Sequence, residues 1–314
     1  MEKNLFIGVD VGGTKVAAGL VNEQGEICSH LRVPMIANGS ANDGLGAVLS
    51  AIAQLLGDDR GVRGIGVCSP GPLDPAAGVI LNPPNLPCWR NFPLTDALRR
   101  AYPVPVKVDN DANAAALAET RWGSARGYNN VFYATIGTGI GTGIVLGGKI
   151  YHGRTGSAGE GGHVSIDYRG PICGCGKPGC IEVLASGSAI ARHAREKILS
   201  GRESSMLEIA GGNLDAVTGE VVGKAHAAGD ALAREVLSEG ADMLAVWLSN
   251  MIDLLDPEVI VIGGGAAALY RPFFGAWRER VANLAVNPRA REVTIVAAHY
   301  GAEAGIAGGA ALCT

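Results

Sequence analysis

Leu5-Phe6-Ile7-Gly8-Val9-Asp10-Val11-Gly12-Gly13-Thr14-Lys15-Val16-Ala17-Ala18-Gly19-Leu20-Val21-Asn22 is the stretch that sets the fold. Two β-rich runs flank Gly12-Gly13, and Asn22-Glu23-Gln24-Gly25 adds a second turn signal, so the spacing predicts a meander of antiparallel strands. A second glycine hairpin occupies residues 131–145 and turns at Gly137-Thr138-Gly139. Laid over the first at an offset of 125 residues, it puts Gly137 on Gly12 and its apolar runs on those of the first, a weak internal duplication. Apolar residues at Leu45, Val48, Leu49, Ile52, Leu55 and Leu56 keep the helical period over 44–56. A short buried strand is expected at 63–68, a helix at 94–102, a strand at 104–108 and an alanine-rich helix at 114–122. Further on, 231–255 reads as a helix, 259–262 and 293–297 as strands, and 302–312 as a helix of small residues. Strand and helix alternating in this way argue for an open α/β sheet.

At 314 residues the chain is at the upper edge of what one core supports, so two α/β lobes around a cleft are expected. The 47 glycines follow no triplet period and hydrophobic residues make up 47%, which excludes collagen and simple disorder. With 26 basic against 30 acidic side chains and a net charge of −4, bulk charge does not suit coating nucleic acid or an anionic membrane. Met1-Glu2-Lys3 leads straight into the first apolar run without the pattern of a signal peptide. No stretch reaches the roughly 18 apolar residues of a membrane span. A cytoplasmic protein with no nucleic-acid or membrane partner is expected. Of the seven cysteines, Cys28, Cys68, Cys88 and Cys313 are isolated, read as small buried apolar side chains and assigned no role.

Three glycine turns, Asp10-Val11-Gly12-Gly13-Thr14-Lys15, Gly137-Thr138-Gly139 and Gly263-Gly264-Gly265, each follow a β-rich run. Any one of them could be a plain hairpin; together with the duplication they point to phosphate binding. Glycine lets backbone amides approach an anion, Lys15 adds a point charge, and the Asp10 carboxylate suits magnesium or its water shell. Asp109-Asn110-Asp111 stands where a strand gives way to a helix. One of these residues should cap that helix, and a carboxylate beside an amide also suits a general base with a neighbouring hydroxyl ligand. The most specific signal runs from Gly159-Glu160-Gly161-Gly162-His163 to Cys173-Gly174-Cys175-Gly176-Lys177-Pro178-Gly179-Cys180-Ile181-Glu182. One histidine and three cysteines, His163, Cys173, Cys175 and Cys180, make a closed tetrahedral set for a structural zinc, the alternative being a disulfide with His163 as bystander. Glu160 and Glu182 flank this knuckle and are good hydroxyl acceptors for a polyol such as a sugar.

On these motifs the sequence resembles the ROK family of sugar kinases and sugar-responsive repressors, within the actin-like, hexokinase-like ATPase superfamily. The run from Gly159 to Glu182 matches the family's Glu-x-Gly-His and Cys-x-Cys-Gly-x-x-Gly-Cys-x-Glu pattern. The resemblance implies a two-lobed α/β fold of the ribonuclease H-like kind with sugar and ATP meeting in a central cleft, and commonly a homodimer. The small lobe would comprise residues 1–117 and 300–314, and the large lobe 118–299 with the zinc knuckle. It implies Asp111 as general base, Asn110, Asp111, Glu160, His163 and Glu182 as sugar ligands, and His163, Cys173, Cys175 and Cys180 as zinc ligands. Asp10, Gly12, Gly13, Thr14, Lys15, Gly137, Thr138 and Gly139 would serve ATP and its magnesium, with Gly264 and Gly265 near the nucleotide. The family's repressors carry a helix-turn-helix ahead of the first hairpin, whereas here a strand is expected from about Asn4. Pro84-Asn85-Leu86-Pro87-Cys88-Trp89 is similar to a loop common in the family's glucokinases. The expected activity is ATP-dependent phosphorylation of a hexose, glucose first. The alternatives are an N-acetylglucosamine or N-acetylmannosamine kinase, or a non-enzymatic sugar sensor.

Overall fold

Three antiparallel strands open the chain: β1 (Leu5–Val11), β2 (Lys15–Asn22) and β3 (Ile27–Pro34), with Gly8 opposite Gly19 and Asp10 opposite Ala17. The structure is a computed structural model that describes residues 4–57 and 61–314; Met1-Glu2-Lys3, read above as a start without a leader, lies outside the described residues. Next come α1 (Ala41–Leu56), β4 (Ile65–Ser69), the small pair β5 (Leu73–Asp74) and β6 (Val79–Ile80), α2 (Leu94–Ala101), β7 (Val106–Asn110) and α3 (Asp111–Arg121). The second hairpin is β8 (Val131–Ile136) and β9 (Ile140–Leu146), continued by β10 (Lys149–Ile150). Helices α4 (Ile181–Ala185), α5 (Gly187–Leu199), α6 (Met206–Ile209), α7 (Gly219–Ala227) and α8 (Ala231–Leu255) follow. The chain closes with β11 (Val259–Gly263), α9 (Ala267–Tyr270), α10 (Phe274–Leu284), β12 (Thr294–Ala297) and α11 (Ala304–Leu312).

The duplication suspected from glycine spacing is a duplication of topology. One five-stranded sheet has the order β3-β2-β1-β4-β7 and the other β10-β9-β8-β11-β12, each a meander followed by later strands added on the far side of the first. Strands β4 and β7 run parallel to β1, as β12 does to β11. The chain divides into two compact units. The first is Met1–Tyr133, Gly143–Gly159 and Ala298–Thr314; the second is Ala134–Thr142 and Glu160–Ala297. The boundary expected at 117/118 falls inside α3, a helix that belongs whole to the first unit.

In the first unit, Ile7, Val9, Val67 and Val108 form a core with Val48 and Ile52 of α1 and Leu98 of α2. The opposite face takes α11, whose alanines and glycines are required by contact distance. A Cβ on Gly8 or on Gly66 would overlap the backbone of Ile306 or of Gly309. Trp89, fully buried, pins the proline-rich loop by donating from Nε1 to the Ala41 carbonyl at 3.2 Å and stacking on Phe92. Glu119 is also fully buried, and its carboxylate accepts the backbone N–H groups of Ser124, His299 and Tyr300 at 2.8–3.0 Å, so the charge is satisfied inside the unit. In the second unit the long α8 carries Trp247, which donates to the Gly161 carbonyl at 3.1 Å. Trp277 donates in turn to the Ala241 carbonyl of α8 at 2.9 Å.

Several boundaries differ from the sequence expectation for local reasons. Helix α1 begins at Ala41, ahead of the apolar period, because Ser40 and Asp43 form a reciprocal capping box. Strand β7 starts at Val106 rather than 104, since Pro103 and Pro105 have no N–H to give a ladder. Helix α3 starts at Asp111 rather than 114, because Asn110 caps it. Cys28 is exposed, contrary to its reading as buried, because it lies on β3, the edge strand of its sheet.

Candidate active site

The parallel strands of the first sheet align their carboxyl ends, where ligands collect in open α/β sheets. Asp10 of β1 is in register with Cys68 of β4, and Cys68 with Asp109 of β7, so the residues singled out at two distant points of the sequence share one sheet edge. Burial pushes the Asp10 carboxyl up to about 6, and the negative charge of Asp111 adds to the shift while Lys15 and Arg32 oppose it. The two carboxylates therefore feel each other across the strand ends. Behind Asp10 the turn closes with the Gly12 N–H donating to the Lys15 carbonyl at 2.9 Å. Gly13 lies so close to the Asn85 carbonyl that a Cβ would come within 2.7 Å of it, which brings the proline-rich loop onto the turn. Thr14 and Lys15 are exposed.

The three polar residues after β7 have separate tasks. Asn110 caps α3, its Oδ1 accepting the N–H of Ala112 at 2.9 Å and of Asn113 at 3.3 Å, which leaves its amide nitrogen as the group able to donate outward. Asp111 is the first helical residue; its Oδ1 accepts the Ala112 N–H at 2.8 Å and the residue stays exposed. The residue that sequence reasoning left without a role is Asp109, only 4% exposed. Its carboxylate accepts the Asn110 N–H at 2.7 Å, the Asn113 side-chain amide at 3.1 Å and His152 Nε2 at 2.7 Å. That hydrogen bond raises the His152 pKa against the opposing effect of burial. Nothing near His152 in sequence signals the contact, since the partners are 43 residues apart.

The second unit gathers the remaining candidates. Gly137 N–H donates to the Gly139 carbonyl at 2.9 Å, and the Gly187 N–H to the Gly137 carbonyl at 2.8 Å, so the turn is tied to the start of α5. Glu182 sits against Gly139 and accepts the Ile140 N–H at 2.9 Å. Gly264, at φ +92°, presses on the backbone of Ile136, a conformation and a distance that suit only glycine. Gly137, Thr138 and Gly265 line one cavity of about 1060 Å³, with Thr218, Gly219 and Glu220 at the start of α7 and Leu269 of α9. Sequence reasoning missed the α7 contribution; the Thr218-Gly219-Glu220 cap signal was its trace. Glu160 is exposed just ahead of a short 3₁₀ turn, Gly161–His163.

The four candidate zinc ligands converge. His163 Nδ1 and the sulfurs of Cys173, Cys175 and Cys180 all lie within 4.8 Å of one another. Cys173 Sγ is 3.6 Å from His163 Nδ1, and Cys175 Sγ is 3.6 Å from Cys180 Sγ. Zinc with bonds of ~2.3 Å to sulfur and ~2.0 Å to nitrogen needs donor separations of roughly 3.5–3.8 Å, so the donor set and these two separations fit a tetrahedral ion. A disulfide does not fit, since its sulfurs stand ~2.05 Å apart, and all seven cysteines are free. Glu182 reaches the same knuckle, its Oε1 lying 3.9 Å from His163 Nδ1 and 3.8 Å from Cys173 Sγ.

Comparison with known proteins gives the same family as the motifs. The profile of the ROK family matches residues 6–314. The chain belongs to the ROK family. This ROK chain is 34% identical over 312 residues to the glucokinase of Thermotoga maritima, spanning 99% of this chain and 98% of that relative. It is 32% identical over 308 residues to the N-acetylmannosamine kinase of Escherichia fergusonii, spanning 98% of this chain and 97% of that relative. Among solved structures, it superposes with a TM-score of 0.83 and 34% identity on a ROK family glucokinase from Streptomyces griseus in complex with glucose and AMPPNP, covering 98% of each chain. The ROK chain thus has the two-lobed actin-like ATPase fold. No helix among its described residues is long and apolar enough to cross a membrane.

Proposed function

We propose that this chain transfers the terminal phosphoryl group of ATP to the 6-hydroxyl of a hexose, with glucose the preferred acceptor. The observation that carries the reading is the likeness, over 98% of the chain, to a glucokinase structure that holds glucose and a non-hydrolysable ATP analogue. Asp111 accepts the proton of the attacking hydroxyl, and its place at the first turn of α3 beside a capped neighbour supports that role. The Asn110 amide nitrogen donates to a second sugar hydroxyl; Glu160, His163 and Glu182 supply the other sugar contacts. Amides of the turns at Gly12–Lys15 and Gly137–Gly139 hold phosphates, and the cavity at Thr138, Thr218 and Gly265 has the size and mixed lining of a nucleoside site. Gly264 keeps the chain close to Ile136 so that Gly265 can face that cavity.

Asp10, half-buried and facing the charge of the exposed Asp111, has its ionised form disfavoured, which suits a divalent cation. Asp10 would hold magnesium, directly or through water, and the ion when bound neutralises phosphate charge. The zinc knuckle is organising rather than reactive. Four protein ligands leave no open position, while the loop between them fixes the His163 ring and the segment leading to Glu182. The enzyme works in the cytoplasm as a homodimer, as the family resemblance implies, on sugar and ATP without nucleic-acid or membrane partners.

A second reading, an aminosugar kinase, is favoured by the N-acetylmannosamine kinase relative. ADP release measured over glucose, mannose, N-acetylglucosamine and N-acetylmannosamine decides between them. Glucose should give the highest kcat/KM. A higher value with an N-acetylated sugar transfers the assignment to the second reading, and no ADP release with any hexose overturns both.

A further inference from the structure

The first unit contains a cavity of about 640 Å³ that none of the roles above uses. It lies along β7, the last strand of its sheet order, and is bounded by the β5–β6 hairpin, by α2 and by residues 152–156. Its charged lining is unequal. Asp74 is engaged by the Ala77 N–H at 2.9 Å, and Asp109 by His152, Asn110 and Asn113. Lys107 and Arg154 have no ion pair among the described residues, and Arg99 has only an exposed one at 3.8 Å to Asp96. Thr95, 5% exposed, lines the wall with an Oγ1 that has no hydrogen-bond partner. Three cations, one unsatisfied buried hydroxyl and two carboxylates already hydrogen-bonded from within the unit describe a receptor for an anion with several acceptor oxygens.

We propose that this cavity binds a small phosphate monoester or inorganic phosphate, held by Lys107, Arg154 and Arg99, and that its occupancy modulates sugar phosphorylation through the His152–Asp109 pair. Asp109 is the link because the same carboxylate meets the cavity at its His152 bond and fixes the Asn110 N–H and the Asn113 side chain of α3. A shift of His152 therefore acts on the turn that presents Asp111. The modulation rests on the kinase reading above; the binding does not.

Titration calorimetry and phosphorus NMR with inorganic phosphate and glucose 6-phosphate test the site, on protein saturated with glucose and AMPPNP so that the reaction centre is occupied. The expected result is saturable binding of at least one probe, weakened at least tenfold by combined Lys107→Ala and Arg154→Ala substitution, with the basal ADP-release rate unchanged. The rate of the wild type, but not of the double variant, should respond to the bound probe by about twofold or more. Absence of saturable binding, or binding equal in both proteins, overturns the site, and binding without any rate response overturns the link through His152. If no hexose supports ADP release, the kinase reading fails while the titration still decides the anion site.

Discussion

Two hairpins of the same topology, β1–β2 and β8–β9, have been turned to different chemistry. Around the first, the strand ends bring together carboxylates: half-buried Asp10 is pushed up to about 6, by burial first and by the Asp111 charge second. Around the second, Glu182 at the turn already accepts the Ile140 N–H, and the adjoining cavity mixes glycine, threonine and alkyl groups with Arg195, Lys224 and Glu220. Repeated topology supplies the same backbone turn twice, and the neighbours packed on it set the charge that each turn faces. The lesson is that the duplication is a property of strand order, while the charge around each copy comes from elements outside the repeat.

The sharpest way to break this contrast is to remove the base from the first region. Asp111→Ala should lower turnover with glucose by a factor on the order of 10² or more while leaving ATP binding near normal. Near-wild-type kcat in the purified, folded variant would sink the assignment. In the second region, Cys175→Ala should release zinc, seen by elemental analysis, and raise KM for glucose by about tenfold or more with a smaller change in KM for ATP. Normal glucose binding in a metal-free variant would show that the knuckle does not organise the sugar contacts.

Two adjacent glycines separate backbone need from ligand need. Gly265 has open space where a Cβ would project, so Gly265→Val should raise KM for ATP by roughly tenfold, ~1.4 kcal/mol, with little change in thermal stability. Gly264→Ala should instead lower stability by about 1–3 kcal/mol, because φ +92° and the Ile136 backbone both oppose a side chain. Equal stability of the two variants would remove the distinction. The smallest effect concerns Asp10. Its folded pKa of about 6 lies above the ordinary aspartate value of 3.8, so the cost of its charge grows as pH rises from about 4 to 6 and is absent at lower pH. Asp10→Asn, compared with wild type without magnesium, should be more stable by on the order of 1–2 kcal/mol at pH 7.5, and the gain should vanish near pH 3.5. A gain that persists in acid would assign it to something other than the carboxylate charge.

Legible in the sequence alone were the meander, its repeat 125 residues later, the long helix α8 and the membership of the Cys/His cluster. These are signals of period and close spacing, and the Cys173–Cys180 loop is too short to place its sulfurs far apart. Sequence also marked Asn110 or its neighbours as a helix cap, because a polar run between a strand and an apolar helix has few other uses. The tertiary structure alone brings His152 onto Asp109 and sets Glu182 between the Gly137–Gly139 turn and the Cys/His cluster. It also sets α7 on the wall of the cavity beside Gly137 and Gly265 and requires α11 to be built of glycine and alanine to lie on Gly8 and Gly66. Each of these joins groups far apart in the chain, where no local period or cap carries the signal, and the contact exists only because packed strands bring their ends into register.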